Sequence, residues 1–234
     1  MEVQQFFGEL EARIAKYDLL CHPFYQAWSE GKLTRDDLRQ YAQDYYPQVE
    51  AFPTYLAELG IRLDEGELRR AVLANMSDEK GLEDAFGEPL PAHSELWLDF
   101  AEGMGCRRDF PTDVSFPEMQ KLTKFFHEVA SEGTAEEALA AFYAYESQVP
   151  RIAKEKARGL QEMYGADEKT RRYFTLHSTA DVHHSRVWRQ QLAKRLEAHP
   201  ERAEQALTAA ENAARALWHA LDGIEARRMA KAAA

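Results

Sequence analysis

Apolar residues recur every three or four positions along most of the chain, and this regularity is the strongest signal in the sequence. In the first stretch the apolar positions are Val3, Phe6, Phe7, Leu10, Ile14 and Tyr17. Because an α-helix completes a turn about every 3.6 residues, such positions form one continuous apolar face. The alternation of apolar and polar residues that marks a β-strand is not found in the sequence. The pattern predicts an all-α protein.

Capping residues and helix-breaking glycines and prolines divide this pattern into seven to nine predicted helices. The segments predicted to be helical are 3–17, 22–30, 34–60, 65–80, 93–104, 118–131, 134–164, 167–198 and 201–228. The clearest predicted loop is 81–91, which holds two glycines and two prolines. The sequence contains neither an internal repeat nor a convincing linker. We therefore expect residues 1–234 to form a single helical-bundle domain with a site inside the bundle.

Candidate chemistry is concentrated between residues 173 and 188. There, His177, Asp181 and His184 follow an i, i+4, i+7 spacing, so on a helix they point to about 0°, 40° and −20°. Two imidazoles and a carboxylate on one narrow stripe suit iron or manganese with open positions better than a closed structural zinc site. Polar residues at helical spacing are also typical of a solvated face. The neighbouring Phe174 and Trp188 favour the inward orientation, in which these polar groups need partners.

Three further residues are candidate ligands. Glu146 stands in an otherwise apolar segment, where an acid is either buried with a partner or a local exception. His93 begins a predicted helix, whereas Glu79 closes one, and there a solvated helix end is the simpler interpretation. The full candidate set is Glu79, His93, Glu146, His177, Asp181 and His184. Three carboxylates and three imidazoles can hold two metal ions, as in carboxylate-bridged sites of helical bundles.

The charge and the cysteine content narrow the range of partners. The formal charge of −11 argues against nucleic acid or an anionic membrane surface. Cys21 and Cys106 form no disulfide framework and suit a reducing compartment. The first residues lack the basic and apolar regions of a signal peptide, and no apolar run is long enough to span a membrane. We expect a cytoplasmic protein without a nucleic-acid or membrane partner.

Three stretches, 22–28, 143–150 and 173–184, carry a family resemblance that extends over nearly the whole chain. The chain resembles the haem-oxygenase-like di-metal oxidases, and in particular the group of the chlamydial death-domain-associating protein (CADD) and its bacterial relatives. That group is similar in fold to TenA thiaminases and to the oxidase of PQQ synthesis. The resemblance implies that the six candidates are the metal ligands. Asp78 rivals Glu79, because the interval between Glu79 and His93 is longer than expected for the family.

The resemblance also implies an unusual activity. Members of that group are similar to self-sacrificing para-aminobenzoate synthases, which supply folate biosynthesis. It implies Tyr25 as the ring donor, Lys156 as the nitrogen donor, and Tyr145 and Tyr173 as redox-active tyrosines. It further implies two metal ions (iron, manganese or both), dioxygen as co-substrate and an external reductant. Without the resemblance, Tyr25 would be interpreted as a core residue and Lys156 as a solvated lysine.

Three alternatives remain open at this point. A related di-metal oxidase would turn over a small external amine or fatty acid. A thiaminase-like hydrolase would need Cys21 or Cys106 as the nucleophile, with a base beside it. A non-catalytic interaction protein would bind no metal. The sequence identifies neither the electron donor nor the oligomeric state, and a homodimer is one option.

Overall fold

A computed structural model describes residues 1–81, 90–110 and 116–232, and in these residues all regular secondary structure is helical. The helices are α1 (Val3–Ala15), α2 (Pro23–Ser29), α3 (Arg35–Arg62), α4 (Glu67–Lys80), α5 (His93–Gly103), α6 (Pro117–Ser131), α7 (Ala135–Glu146), α8 (Val149–Glu162), α9 (Glu168–Ala198) and α10 (Ala203–Ala232). Two short 3₁₀ segments, Leu19–Cys21 and Pro200–Arg202, connect neighbouring helices. The predicted loop 81–91 lies mostly outside the described residues. The all-α prediction is confirmed.

The first turns of α3 and α7 show the side-chain contacts that are expected of capping residues. Thr34 and Asp37 form a reciprocal capping box at the start of α3, and Thr134 and Glu137 form another at the start of α7. Each box satisfies backbone N–H groups that the first helical turn leaves without partners. In the described part of the chain, no helix combines the length and the apolar character that crossing a bilayer requires.

The segment 134–164, predicted as one helix, forms two. Helix α7 ends at Glu146, and α8 begins at Val149 with Pro150 in its first turn. Proline lacks a backbone N–H and is tolerated there, whereas inside a helix it removes a hydrogen bond and clashes with the preceding turn. The break separates Glu146 from Lys156, which lies in the middle of α8. The two residues therefore belong to different elements of the site.

Helix α7 lies at the centre of the bundle, packed between α9 and α10. Its residues 138–146 are all buried. Four of these are alanines, whose small side chains let the neighbouring helices approach closely. Helix α9 in turn packs against α5, α7 and α8. This arrangement brings the polar stripe of α9 to face the ends of α4, α5 and α7, deep in the protein.

Candidate metal centre

The six predicted ligands come together from four helices. Glu79 lies near the end of α4, His93 begins α5 and Glu146 ends α7, while α9 contributes the other three. Each of the six side chains is at most 6% exposed. The i, i+4, i+7 stripe of α9 points into the protein, and the solvated-face interpretation is not what the structure shows. We call these six residues the ligand cluster.

The ligand cluster contains two overlapping groups of three. Ligand atoms of Glu79, His93 and His177 all lie within 4.8 Å of one another, and so do those of Glu79, Glu146 and His184. Glu79 belongs to both groups. One cation position would therefore have two imidazoles and a carboxylate, the other two carboxylates and an imidazole, with Glu79 between them. Such mixed nitrogen and oxygen donors suit iron or manganese.

Charge balance in the ligand cluster also fits bound cations. Among the described residues, the ion-pair partners of Glu79, Glu146 and Asp181 are histidines, never arginine or lysine. Three buried carboxylates are costly unless a positive charge compensates them. Two divalent cations would supply that compensation.

The two imidazoles of the first group are prepared for a cation in different ways. Nδ1 of His177 lies 2.7 Å from the backbone oxygen of Tyr173. Only the Nδ1–H tautomer can donate to this carbonyl, so the lone pair on Nε2 is free for a metal. Nδ1 of His93 is buried without a hydrogen bond, although Oε2 of Glu79 is 2.8 Å away. A buried ring nitrogen in that state requires a further partner, and a cation fits.

The second group includes His184, whose two ring nitrogens contact an acid on α9 and an acid on α4. Its Nδ1 lies 3.2 Å from Asp181, and its Nε2 lies 3.3 Å from Asp78. The Asp78 side chain is 58% exposed and belongs to neither group. Glu79 is buried and belongs to both. Asp181 is in the ligand cluster but belongs to neither group of three, because its carboxylate is turned towards His184.

Glu146 is held by two donors that the sequence analysis did not identify. The Asn75 side-chain amide donates to Oε1 at 3.0 Å, and the Trp188 indole N–H donates to Oε2. Burial raises the pKa of Glu146 to about 8, although the nearby His184 opposes this effect. A cation beside this carboxylate would keep it ionised at neutral pH. Asn75 and Trp188 therefore fix the orientation of a candidate ligand.

A second buried polar group, which we call the lysine cluster, consists of Lys156, Tyr25 and Tyr41. Nζ of Lys156 lies 2.8 Å from the hydroxyl of Tyr25 and 2.5 Å from that of Tyr41, and the two hydroxyls are 3.1 Å apart. Lys156 is only 6% exposed, so the solvated interpretation of this residue is wrong. Burial lowers its pKa well below the usual value. Tyr41 was not a predicted site residue, since its spacing is that of any core position.

Tyr145 and Tyr173 lie between the two clusters. Both line the narrow space of about 10 Å³ among the ligands, and both line a cavity of about 30 Å³ that reaches Lys156 and Tyr25. The Tyr173 ring also stacks on His177, with centroids 4.0 Å apart. The structure thus brings all four predicted tyrosine and lysine residues close to the ligand cluster.

Neither cysteine belongs to the ligand cluster, and Cys21 is exposed. Cys106 is buried, its thiol donates to the backbone oxygen of Arg39 at 3.4 Å, and burial raises its pKa to about 11. An attacking thiol needs the opposite shift, towards the thiolate. Cys106 therefore lacks the character that the thiaminase-like alternative requires of its nucleophile.

The chain matches a family of redox enzymes and is similar to two synthases. A family model described as an iron-containing redox enzyme matches residues 39–218, which include the whole ligand cluster. A 4-aminobenzoate synthase from Chlamydia pneumoniae is 37% identical over 75% of this chain and 76% of that protein. A 4-aminobenzoate synthase from Nitrosomonas europaea is 36% identical over 96% of this chain and 92% of that protein. The resemblance inferred from the three motifs is confirmed.

The fold is shared with a solved structure of low sequence identity. A domain of unknown function from Shewanella denitrificans, described as having a heme oxygenase-like fold, aligns with a TM-score of 0.79. The identity is 16%, and the alignment covers 98% of this chain and 94% of that one. At this identity the likeness concerns the fold alone. The predicted haem-oxygenase-like architecture is confirmed.

Proposed function

Because the chain belongs to the family of iron-containing redox enzymes, we propose that it is an oxygen-dependent 4-aminobenzoate synthase that consumes its own side chains. Tyr25 supplies the aromatic ring and Lys156 the amino nitrogen. Iron, manganese or both occupy the two cation positions of the ligand cluster. Dioxygen is the co-substrate, and an external reductant supplies electrons. The product serves folate biosynthesis.

The contact between Lys156 and Tyr25 carries this proposal. The two residues are 131 positions apart in sequence, yet Nζ and the phenol oxygen are 2.8 Å apart in the interior. A buried lysine without a carboxylate partner lowers stability. Such an arrangement is expected where the amine has a chemical role, because a methionine or leucine would fill the same space at lower cost.

The lysine cluster keeps the amine in its reactive form. Desolvation lowers the pKa of Lys156, which favours the uncharged amine with its free lone pair. An uncharged amine can attack an oxidised, electron-poor phenol ring, whereas an ammonium group cannot. The hydroxyl of Tyr41 holds Nζ through a second contact beside that of Tyr25. The amine is therefore positioned next to the ring that it would modify.

The aromatic side chains around this cluster exclude water. Nζ of Lys156 lies 4.1–5.9 Å from the ring centroids of Tyr25, Trp28, Tyr41, Tyr45 and Phe174. When bound, the metal ions supply the activation of dioxygen to a strong oxidant. In a dry surrounding, an oxidised Tyr25 meets the amine of Lys156 rather than solvent. The ligand cluster holds the cations, and Tyr145 and Tyr173 separate them from this reaction space.

Stoichiometry tests the proposal. We expect protein loaded with iron(II) and manganese(II), given dioxygen and ascorbate, to release at most one 4-aminobenzoate per chain. Peptide mass spectrometry should show a matching loss at Tyr25. Tyr25→Phe should release none, because phenylalanine lacks the oxidisable phenol. Tyr46→Phe, at a buried tyrosine of the same bundle whose hydroxyl faces Glu50, is the matched control and should release product normally.

The rival oxidase acting on an external substrate predicts another outcome. More product than protein, with an intact Tyr25, would show that the ring comes from outside the chain. Unchanged product in Tyr25→Phe would lead to the same conclusion. Failure to bind iron or manganese would instead favour the non-catalytic interaction protein.

A further inference from the structure

Trp97 occupies the middle of a line of aromatic rings that runs from a candidate metal ligand to Tyr25. Centroid separations along the line are 4.0 Å from His177 to Tyr173, 4.9 Å from Tyr173 to Trp97, 5.7 Å from Trp97 to Tyr41 and 6.3 Å from Tyr41 to Tyr25. Each separation is that of direct ring contact. Neither the sequence motifs nor the proposed chemistry assigns a role to this tryptophan.

The surroundings of Trp97 favour the loss of an electron without the loss of a proton. The side chain is 1% exposed and lies one helical turn after His93 on α5. Its indole N–H donates to the backbone oxygen of Ala42 at 2.7 Å. A peptide oxygen accepts this hydrogen bond but is too weak a base to take the proton. Indole is also among the most readily oxidised side chains, so Trp97 can give and regain an electron in place.

We propose that Trp97 is an electron relay that connects the ligand cluster with Tyr25. This inference rests on the proposed function, in which dioxygen at the bound metal ions supplies the oxidant. One electron leaves Tyr25, passes through Tyr41, Trp97 and Tyr173, and reduces that oxidant. The hydroxyl proton of Tyr25 moves to Nζ of Lys156, 2.8 Å away. Trp97 loses one electron and regains one, so it is unchanged at the end.

A second route between the clusters would work differently. Tyr145 directly precedes Glu146 on α7, and it lines the same cavity as Tyr45. The Tyr45 ring stacks on Tyr41 with centroids 5.5 Å apart. An electron that crossed from Tyr145 to Tyr45 would be exchanged between two phenols, each of which loses a proton when it is oxidised. On the route through Trp97, the tyrosines on either side of the tryptophan have the same requirement, but Trp97 itself can be oxidised without losing its proton.

Two substitutions at Trp97 separate electron transfer from packing. Trp97→Phe keeps an aromatic ring but removes the oxidisable group, whereas Trp97→Tyr is also smaller than tryptophan yet remains oxidisable. The metal-loaded variants are given dioxygen and ascorbate, and peptide mass spectrometry locates the oxidised residues. In Trp97→Phe we expect Tyr25 to stay intact and oxidation to accumulate at Tyr173. In Trp97→Tyr we expect consumption of Tyr25 to return only in part, because an oxidised phenol must lose its proton and the backbone oxygen of Ala42 is too weak a base to accept it.

Phe100→Leu is the control for loosened packing. Phe100 lies on the same helix and contacts Trp97 at 5.3 Å, but its ring is not oxidisable under these conditions, so Tyr25 should be consumed as in the native protein. The relay is overturned if Trp97→Phe consumes Tyr25 normally, or if Phe100→Leu fails as completely as Trp97→Phe. The first result would assign the transfer to Tyr145 and Tyr45, and the second would make Trp97 a packing residue.

Electron paramagnetic resonance distinguishes failure of the relay from failure of the proposed function. Samples frozen soon after mixing with dioxygen, with and without ring-deuterated tyrosine, reveal whether a tyrosyl radical forms. Native protein that forms the radical without losing Tyr25 would contradict the proposed function. The relay would then stand if, in Trp97→Phe, the tyrosyl radical is trapped between Trp97 and the ligand cluster. It would be overturned if the radical signal of Trp97→Phe is the same as that of the native protein. Native protein without any tyrosyl radical would overturn both.

Discussion

The two buried polar clusters differ in the groups that surround their ionisable side chains. In the ligand cluster, carboxylates and imidazoles approach one another closely, and Glu79 belongs to both groups of three. In the lysine cluster, the partners of the amine among the described residues are hydroxyls and aromatic rings. Yet the two clusters are separated by little more than Tyr145 and Tyr173, which line the cavities of both.

This difference indicates a division of labour. Three buried carboxylates of the ligand cluster face histidines, and bound cations would replace the protons that otherwise balance their charge. In the lysine cluster, burial lowers the pKa of Lys156 and so favours the uncharged, nucleophilic amine. Substitutions in the ligand cluster should therefore change metal binding, whereas substitutions in the lysine cluster should leave it unchanged. The protonation of Lys156 should depend on the lysine cluster.

The largest expected effect concerns the shared carboxylate. Glu79→Gln removes the charge from both groups of three, so we expect loss of both metal ions, measured by elemental analysis of the purified variant. Asp78→Asn is the matched control on the neighbouring residue. Because the Asp78 side chain is 58% exposed and belongs to neither group, the metal content should be close to that of the native protein. Equal loss in both variants would contradict the assignment of Glu79.

Sequence reasoning anticipated most of the fold and part of the site for a definite physical reason. Helical periodicity is a local property, so the apolar stripes predicted the helices well. The same argument applies to His177, Asp181 and His184, whose relative directions are set by one helix. The error at 134–164 arose because the pattern continues across Ser147 and Gln148, whereas Pro150 is better accommodated in the first turn of a new helix.

What the residue pattern could not show are contacts between distant helices. Lys156 has charged neighbours in sequence and was interpreted as solvated, but its partners lie 115 and 131 residues away. Asn75 and Trp188 likewise act on Glu146 from other helices. No spacing rule connects such residues. The family resemblance identified Lys156 and Tyr25, and it left Tyr41, Asn75 and Trp188 unassigned.

An intermediate effect is expected from the donor that orients Glu146. Trp188→Phe keeps an aromatic ring in the core but removes the indole N–H. Losing a hydrogen-bond partner of a metal ligand typically weakens metal binding about 10–100-fold. Titration against a competing chelator would measure this change. Trp218→Phe, on α10 beside His22 and away from the site, should leave the affinity unchanged, and an equal loss there would contradict a specific role for Trp188.

The smallest expected effect concerns the stability contributed by the lysine cluster. Lys156→Met fills the same space without a group that burial deprotonates, so at neutral pH we expect the free energy of unfolding to rise by about 1 kcal/mol, or roughly 2–4 °C in melting temperature.

The depressed pKa of Lys156 sets the sign of the pH dependence. In the native protein, unfolding takes up a proton until the pH approaches the usual lysine value of 10.5, so native stability rises relative to the variant over that interval. Thermal unfolding between neutral pH and pH 10 should show the gap narrowing by up to about 1.4 kcal/mol per pH unit and then changing sign. Lys154→Met, exposed on the same helix, should show no such trend, and a gap that stays constant for Lys156→Met would mean that the lysine is protonated in the folded protein.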